Sequence, residues 1–583
     1  MSSITTATVA KHLVVLGCSA TKIQTTGALP AITLYDGPTF RVLRAFLRDY
    51  RWPPSLSVAV FSAKYGMIGG LSHIAPYDQR MTPQQAMQLA STVTRTLQQW
   101  GPTHARIDLV LGQDYLRGID PHFFSVSTPP IAVVTGPIGM KLHRLHQMLH
   151  TMGSGRKAAV PPLPRLPRLL YFLPDWDDFL DVDFDFEHDQ FSSRARATRH
   201  EEHSITLMQP QRLCDGVLVS LAQHLGSKGM LKRVGLVTTE ALAPRSVREH
   251  FKLQADQWAF GDCGAFSYVT EEQPTISSEQ AVSLYDLYEF DLGASVDHIP
   301  APEIVTPKGK TQLTAAEQQA RIRLTRDNAA RFITLHHERA ARFLPVGVVQ
   351  GVTPRDYAGQ IGDYLDMGYH YLALGGLVPH GDADVKAIVE AVHATLQKFR
   401  TPPWVHLLGI FRPTLQPYFR QLGLGSFDSA TYFRKAWLRS DQNYLGIEGR
   451  WYAAIRVPPL SDPRTRKRLQ ASGVAETGLQ HLEKAALSTL RAYDRGELSV
   501  DKALHAVLEY DRLLSRTEAY DATLATAYRT TLEARPWRAC PCAMCQALGI
   551  EIAIFRGINR NKRRGAHNTL QLFEKVRSTM RPK

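Results

Sequence analysis

The sequence predicts an α/β protein with two sheet-based parts and a metal-binding end. Three observations carry that reading. Apolar runs of strand length alternate with amphipathic stretches near the N-terminus. The same alternation returns on a larger scale from about Leu169. Three cysteines then fall within six residues close to the C-terminus. Strands alternating with helices build mostly parallel sheets covered on both faces. The expected architecture is an N-terminal three-layer α/β domain with a mostly parallel sheet, a (β/α)8 TIM barrel with a helical insertion, and a C-terminal zinc-binding segment.

Residues 1–152 form the first domain in this reading. Strands are expected at His12–Leu16, Leu56–Phe61, Ile107–Leu111 and Ile131–Val134, with helices around Thr39–Asp49, Pro83–Gln99 and Met140–Leu149. Each strand runs into a small polar loop, such as Gly17-Cys18-Ser19-Ala20-Thr21-Lys22 or Ser62-Ala63-Lys64-Tyr65-Gly66. Ligands of open α/β sheets bind beyond the carboxyl ends of strands. A phosphate or nucleotide with Lys22 and Lys64 as charge partners suits these loops, and so does plain corner-turning. Cys18 is a nucleophile by type, but no His stands in a partner motif.

Residues 153–168, GSGRKAAVPPLPRLPR, read as a Pro-rich linker. An acidic stretch follows, from Asp175-Trp176-Asp177-Asp178 through Asp181, Asp183, Asp185, Glu187 and Asp189. It reads as a surface turn facing away from any polyanion.

Residues 169–440 carry the barrel pattern. Expected strands are Gly216–Ser220, Val234–Val237, Trp258–Gly261, Gly293–Val296, Val346–Val349, Tyr369–Leu374, Trp404–Leu408 and Gly425–Phe427. Long amphipathic helices are expected at Ala315–Ala340, Pro354–Met367 and Asp384–Phe399. Barrel chemistry sits at the C-terminal ends of strands. Asp262, Asp297, Gln350, the Gly375-Gly376-Leu377 run and Asp428 all fall there. Residues 441–535 read as a mostly helical insertion, with a hairpin at Gly446–Val457 and helices at Leu479–Tyr493 and Val500–Leu514.

Residues 536–583 hold the cysteines. Cys540, Cys542 and Cys545, with His567 after twenty-one further residues, have the composition of a closed tetrahedral Zn²⁺ site. Four protein ligands leave no position for water, so one structural zinc per chain is expected. Six cysteines in all, half of them in this cluster, suit a reducing compartment and no disulfide framework.

The chain has 583 residues and a net charge of +14. From Arg556 to Lys583, nine Lys/Arg face one Glu. Arg556, Arg560, Lys562, Arg563 and Arg564 are therefore candidate contacts to nucleic-acid phosphates. No apolar stretch approaches the roughly 18 residues of a membrane helix, and no signal-peptide pattern opens the chain. A cytoplasmic protein without membrane partners is expected.

The spacing C-x-C-x₂-C with a distant His resembles the zinc motif of tRNA-guanine transglycosylases. Asp262-Cys263-Gly264-Ala265-Phe266 resembles the family's Asp-Ser-Gly-Gly-Phe loop, and Val349-Gln350-Gly351 and Gly375-Gly376-Leu377 are similar to its base-binding strand ends. Phe427-Asp428 matches the Phe-Asp that carries its nucleophile. The resemblance spans roughly residues 210–440 and 536–577. It is nearest to the divergent DpdA branch, which places a 7-deazaguanine in DNA.

That resemblance implies a transglycosylase that exchanges guanine for 7-cyano-7-deazaguanine (preQ0) through a covalent aspartyl-sugar intermediate. Asp428 is the implied nucleophile and Asp262 the acid–base group. Asp297, Gln350 and the backbone of Gly375, Gly376 and Leu377 would read the base, and Phe266 would stack on it. DNA is the implied partner, with room for other proteins of a DNA-modification system. Two alternatives remain: the same exchange on tRNA, and an inactive nucleic-acid-binding subunit. The family's usual segment after the nucleophile is replaced here by Ser429-Ala430-Thr431-Tyr432-Phe433, which weighs against tRNA.

Overall fold

Strand β1, His12–Gly17, is apolar and buried from Leu13 to Leu16 because both of its faces are covered. Val14 and Leu16 pack into one core with Phe40, Leu43, Leu145 and Leu149. Leu13 and Val15 pack into another with Val93, Leu97, Ile107 and Leu109. Alternate side chains thus enter opposite layers, as strand geometry dictates. Each such buried aliphatic or aromatic side chain contributes roughly 1.5–3 kcal/mol. This sheet also contains β2 (Leu56–Ser62), β3 (Gly66–Gly69), β4 (Arg106–Val110) and β5 (Ile131–Val133), in the order β3-β2-β1-β4-β5. All neighbours are parallel except β3, which returns antiparallel from β2. Helices α1 (Pro38–Asp49), α2 (Pro83–Trp100) and α3 (Ile138–Thr151) lie where periodicity places them. The antiparallel edge strand is the feature the sequence reading lacked.

This computed structural model describes residues 10–25, 27–166, 168–175, 179–198, 202–222, 237–238, 240–306, 309–438, 441–470, 473–514 and 518–578. The chain divides into two compact units. One comprises Met1–Pro164, Val219–Leu253 and Trp258–His406; the other comprises Arg165–Leu218, Gln254–Gln257 and Leu407–Lys583.

Among the described residues, eight strands close into a barrel. They are β6 (Leu170–Pro174), β7 (Gly216–Ser220), β8 (Trp258–Asp262), β9 (Leu292–Ala294), β10 (Leu344–Val349), β11 (Tyr371–Leu374), β12 (Trp404–Leu407) and β13 (Ser426–Asp428). The order is β7-β8-β9-β10-β11-β12-β13-β6. The registers of β8 with β9, β9 with β10, β10 with β11, β13 with β6 and β6 with β7 are all parallel. Seven of these strands coincide with expectation to within a few residues. The eighth does not. Most of the expected Val234–Val237 strand lies outside the described residues, as do Trp176-Asp177-Asp178 of the acidic stretch. The barrel instead uses Leu170–Pro174, a short apolar run that pairs with β13 and β7.

Helices α4 (Ala315–Glu338) and α5 (Pro354–Asp366) start with capping boxes from Thr314–Glu317 and Thr353–Asp356. Helix α6 spans Asp382–Leu396. In the second unit, α7 (Glu476–Asp494) and α8 (Val500–Asp511) bury Leu479, Leu490, Leu504 and Val507. Tyr444–Leu445 pairs with Trp451–Tyr452 as a short hairpin. No helix among the described residues is long and apolar enough to cross a membrane.

Candidate active site and metal centre

Strand β8 ends on Asp262, and the chain must then turn sharply. Gly264 makes that turn at φ +83°, and a Cβ there would lie 2.1 Å from Ser220 Oγ. The Gly264 N–H donates to Asp262 Oδ2 at 3.0 Å, which fixes the carboxylate. One ligand-type atom from each of Asp262, Cys263 and Asp297 lies within 4.8 Å of the others, so the turn brings two carboxylates and a thiol together.

Asp297, three residues beyond the end of strand β9, is 1% exposed. Cys263 Sγ donates to its Oδ1 at 2.7 Å, and Gln350 Nε2 donates to its Oδ2 at 2.6 Å. Burial raises the Asp297 pKa above the ordinary carboxylate range, and the two donors oppose that rise. Burial, then the charges of Asp297 and Asp262, keep the Cys263 thiol protonated. Tyr268 Oη donates to the Asp297 carbonyl at 2.9 Å and holds the loop.

Gln350 follows strand β10. Gln360 Nε2 bonds its carbonyl at 2.9 Å. Its Oε1 is buried and meets no hydrogen-bond donor among the described residues. Gly375 and Gly376, after strand β11, make room for this amide. A Cβ on Gly375 would lie 2.3 Å from Gln350 Nε2, and one on Gly376 2.7 Å from Oε1. The Gly375 N–H goes to Val349 O at 3.0 Å and its carbonyl accepts from Tyr357 Oη at 2.8 Å. Of the backbone expected to read a base, the Gly375 N–H and carbonyl are already bonded to Val349 O and Tyr357 Oη, and Gly375 supplies space. Leu377 is buried, whereas Phe266 is 61% exposed.

Asp428 belongs to the other unit. It ends strand β13, is 6% exposed, and accepts the Gly409 N–H at 2.7 Å through Oδ1. Phe427 beside it stacks between Tyr171 and Phe411, with ring centroids 5.2 and 5.3 Å away. That sandwich fixes the strand end bearing the carboxylate.

Sequence reasoning missed Ser220, which ends strand β7 with a buried hydroxyl that has no hydrogen-bond partner among the described residues. Its position at a strand end was the available signal. It also missed Tyr268, Tyr357 and Gln360, which support the site from behind and have no motif of their own.

The C-terminal cluster forms as spacing predicts. Cys540, Cys542, Cys545 and His567 are all buried, with donor atoms within 4.8 Å of one another. The three Sγ atoms lie 3.6, 3.4 and 3.4 Å from His567 Nδ1. A tetrahedral Zn²⁺ with ordinary bond lengths spaces sulfur and nitrogen about 3.5 Å apart, so these residues fit the ion. His567 Nε2 meets Leu445 O at 2.7 Å, an outer contact that leaves Nδ1 as the donor. Asn568 ties the same helix, α9 (Gly557–Ser578), to Leu445 N at 2.9 Å and Asn443 O at 2.8 Å.

The candidate arginines on and before α9 do not form a phosphate-facing stripe. Arg556, Arg560, Arg563 and Arg564 are 6%, 1%, 5% and 0% exposed. Arg556 and Arg560 both pair with Asp189; Arg556 also reaches Glu483 at 2.7 Å, and Arg560 reaches Glu551 at 2.6 Å. Arg563 donates to Asp181 O at 2.6 Å, Arg564 to Ile552 O and Ile554 O, and Lys562 to Phe179 O at 3.1 Å. Burial lowers the pKa of Arg563 to about 10 and of Arg564 to about 9. The expectation that the four arginines meet nucleic acid is corrected on physical grounds: they are buried and bonded inside the unit, and Asp189 of the acidic stretch that was read as a surface turn supplies part of the counter-charge, while Lys562 is half-buried.

Carboxylates and an amide gathered at the strand ends of a closed (β/α)8 barrel define a barrel enzyme with its chemistry at that face. No family model matches the chain. A protein of Salmonella montevideo named DNA-guanine transglycosylase is 33% identical over 416 residues, which cover 71% of this chain and 98% of that protein. The chain belongs to the guanine transglycosylase family and is a glycosyltransferase.

Proposed function

We propose that this enzyme exchanges guanine in DNA for a 7-deazaguanine base, 7-cyano-7-deazaguanine. The observation that carries the reading is the joined set Asp262, Cys263, Asp297 and Gln350, three of whose donor atoms lie within 4.8 Å, in a chain similar to a protein named for DNA. Such a set can hold a purine by its hydrogen-bonding edge while a carboxyl handles its proton.

Asp428 is the nucleophile in this reading. Its carboxylate attacks C1′ as the C1′–N9 bond breaks, and the departing guanine takes a proton from Asp262. The incoming base returns a proton to Asp262 and displaces Asp428 from C1′. Asp297 and the buried Oε1 of Gln350 accept from the N1–H and amine edge, and Gly376 lies toward the opposite edge. The target nucleotide must leave the stack, so Phe266 offers a face for a flipped base, worth roughly 1–3 kcal/mol. Zn²⁺ held by Cys540, Cys542, Cys545 and His567 supplies structure and takes no part in the reaction.

The test is incubation of the protein with labelled guanine and either DNA or tRNA, in the presence and absence of the deazaguanine. Label enters DNA, and a denaturation-resistant DNA adduct forms with wild type but not with Asp428→Asn. Incorporation into tRNA alone would overturn the choice of DNA, and adduct formation by Asp428→Asn would overturn the nucleophile.

A further inference from the structure

The N-terminal sheet holds a second cavity that the base exchange does not use. β1 lies between β2 and β4. The chain leaving β1 leads to α1, whose Phe40 and Leu43 pack on one face of the sheet. The chain leaving β4 leads to Tyr115, Leu116 and Phe123, which pack on the other. Connections that part to opposite faces leave a crevice at the strand carboxyl ends, where open α/β sheets take ligands. A cavity of about 680 Å³ lies there, lined by Cys18, Ser19, Thr39, Arg41, Tyr115 and Lys141 among others. That volume suits a small organic molecule, for which pockets run to roughly 300–1,000 Å³, and far exceeds a lone phosphate ion.

The chemistry of the wall selects an anion with an organic body. Arg41 and Lys141 bring positive charge, and Asp36 on the same wall is already held by Arg41 at 2.8 Å and by Arg44. Helices α1 and α3, of 12 and 14 residues, both begin on the wall, and neither has a side-chain cap. Tyr115 Oη is tied to the Cys18 carbonyl at 2.9 Å, and its ring lies 3.3 Å from where a Gly17 Cβ would be. The glycine therefore lets an aromatic ring lie against the first loop, at the cavity wall.

We propose that this cavity binds a mononucleotide, with its phosphate between the starts of α1 and α3 beside Arg41 and Lys141 and its nucleoside toward Tyr115. The site is separate from the exchange reaction and does not depend on that reading.

Cys18 gives a direct readout. It lines the cavity, and it is the one cysteine of the six that is not buried. The full-length protein is treated with iodoacetamide and alkylation at Cys18 is followed by peptide mass, with GMP, AMP, guanosine, adenosine or inorganic phosphate present. GMP or AMP is expected to slow the reaction at least about tenfold, and the nucleosides and phosphate less than about twofold. Arg41→Gln with Lys141→Gln should abolish the nucleotide effect, read as the ratio of rates with and without ligand. Asp428→Asn should retain it. Equal protection by nucleosides or by phosphate alone, or protection by none of the five, would overturn the assignment. Those wild-type outcomes stand whether or not the double variant folds.

Discussion

Gln350 splits its amide between two environments: Nε2 donates to Asp297 Oδ2 at 2.6 Å, while the buried Oε1 meets no donor among the described residues. A buried acceptor without a partner costs roughly 1–3 kcal/mol. In the proposed reading the N1–H and amine edge of a base supplies the missing donor. Gln350→Leu removes that cost and the contact, but also takes the Nε2 donor from Asp297 Oδ2. Steady-state exchange should show KM for the incoming base rising roughly 10- to 100-fold, whatever the shift in melting temperature. A fall in melting temperature with KM unchanged would make Gln350 a packing residue only.

Gly376 sits at φ +71°, and a Cβ there would lie 2.7 Å from that same Oε1. Gly376→Ala therefore strains the backbone and pushes the amide aside together, at a cost of about 1–3 kcal/mol. Base binding should weaken at least tenfold by titration calorimetry. Gly359, with nothing within 4 Å of its Cβ position, is the control; Gly359→Ala should leave binding intact.

Asp297 sets a pH dependence whose sign follows from burial. Its folded pKa is raised, so between the ordinary carboxylate value and that raised value the folded state holds a proton the unfolded chain has released. Stability must fall as pH rises through that window. Asp297→Asn removes the contribution, so its denaturation midpoint should vary less with pH across the window than wild type. An identical slope in both proteins would mean that another group carries it.

The metal centre should behave as a fold element. Binding at a zinc site of this kind is worth roughly 10–16 kcal/mol in small domains. Strong chelation, or Cys542→Ser, should therefore loosen α9 and the Tyr444–Tyr452 hairpin, read as faster hydrogen exchange at Leu445 and Asn568. Exchange at Asp297 and Gln350 should stay as in wild type. Full metal stoichiometry in Cys542→Ser would remove that cysteine from the ligand set.

What the sequence made legible was local. β1, β2 and β4 could be placed because short apolar runs ended at Gly17, Ser62 and the Leu111-Gly112 step. The cysteine cluster was legible because three of its ligands lie within six residues. Leu170–Pro174 escaped because a five-residue apolar run after a Pro-rich stretch gives no periodicity to weigh. The orphan amide of Gln350 and the hydroxyl of Ser220 were invisible because their state depends on neighbours brought in by other strands. Charge misled for the same reason. A count of arginines near the C-terminus records sign, whereas the role of Arg556 and Arg560 is set in part by Asp189, 367 and 371 residues earlier.

The pairing of Arg560 with Asp189, 371 residues apart in sequence, turns that last point into a measurement. Arg560 is 1% exposed and shared between Asp189 and Glu551. Removing one partner of a buried pair leaves an uncompensated charge and costs roughly 3–5 kcal/mol. Asp189→Ala takes one carboxylate from both Arg560 and Arg556 and leaves each a second, Glu551 and Glu483, so it should lower unfolding free energy by at most about that amount. The loss should change little between low and high salt, since buried pairs are poorly screened. Arg560→Met, an apolar replacement of similar length, should destabilise by taking one guanidinium from Asp189 and Glu551, and leave the DNA affinity of the folded protein unchanged. If instead Arg560→Met folds with wild-type stability and binds DNA markedly more weakly, the guanidinium meets phosphate and the buried network is not its role.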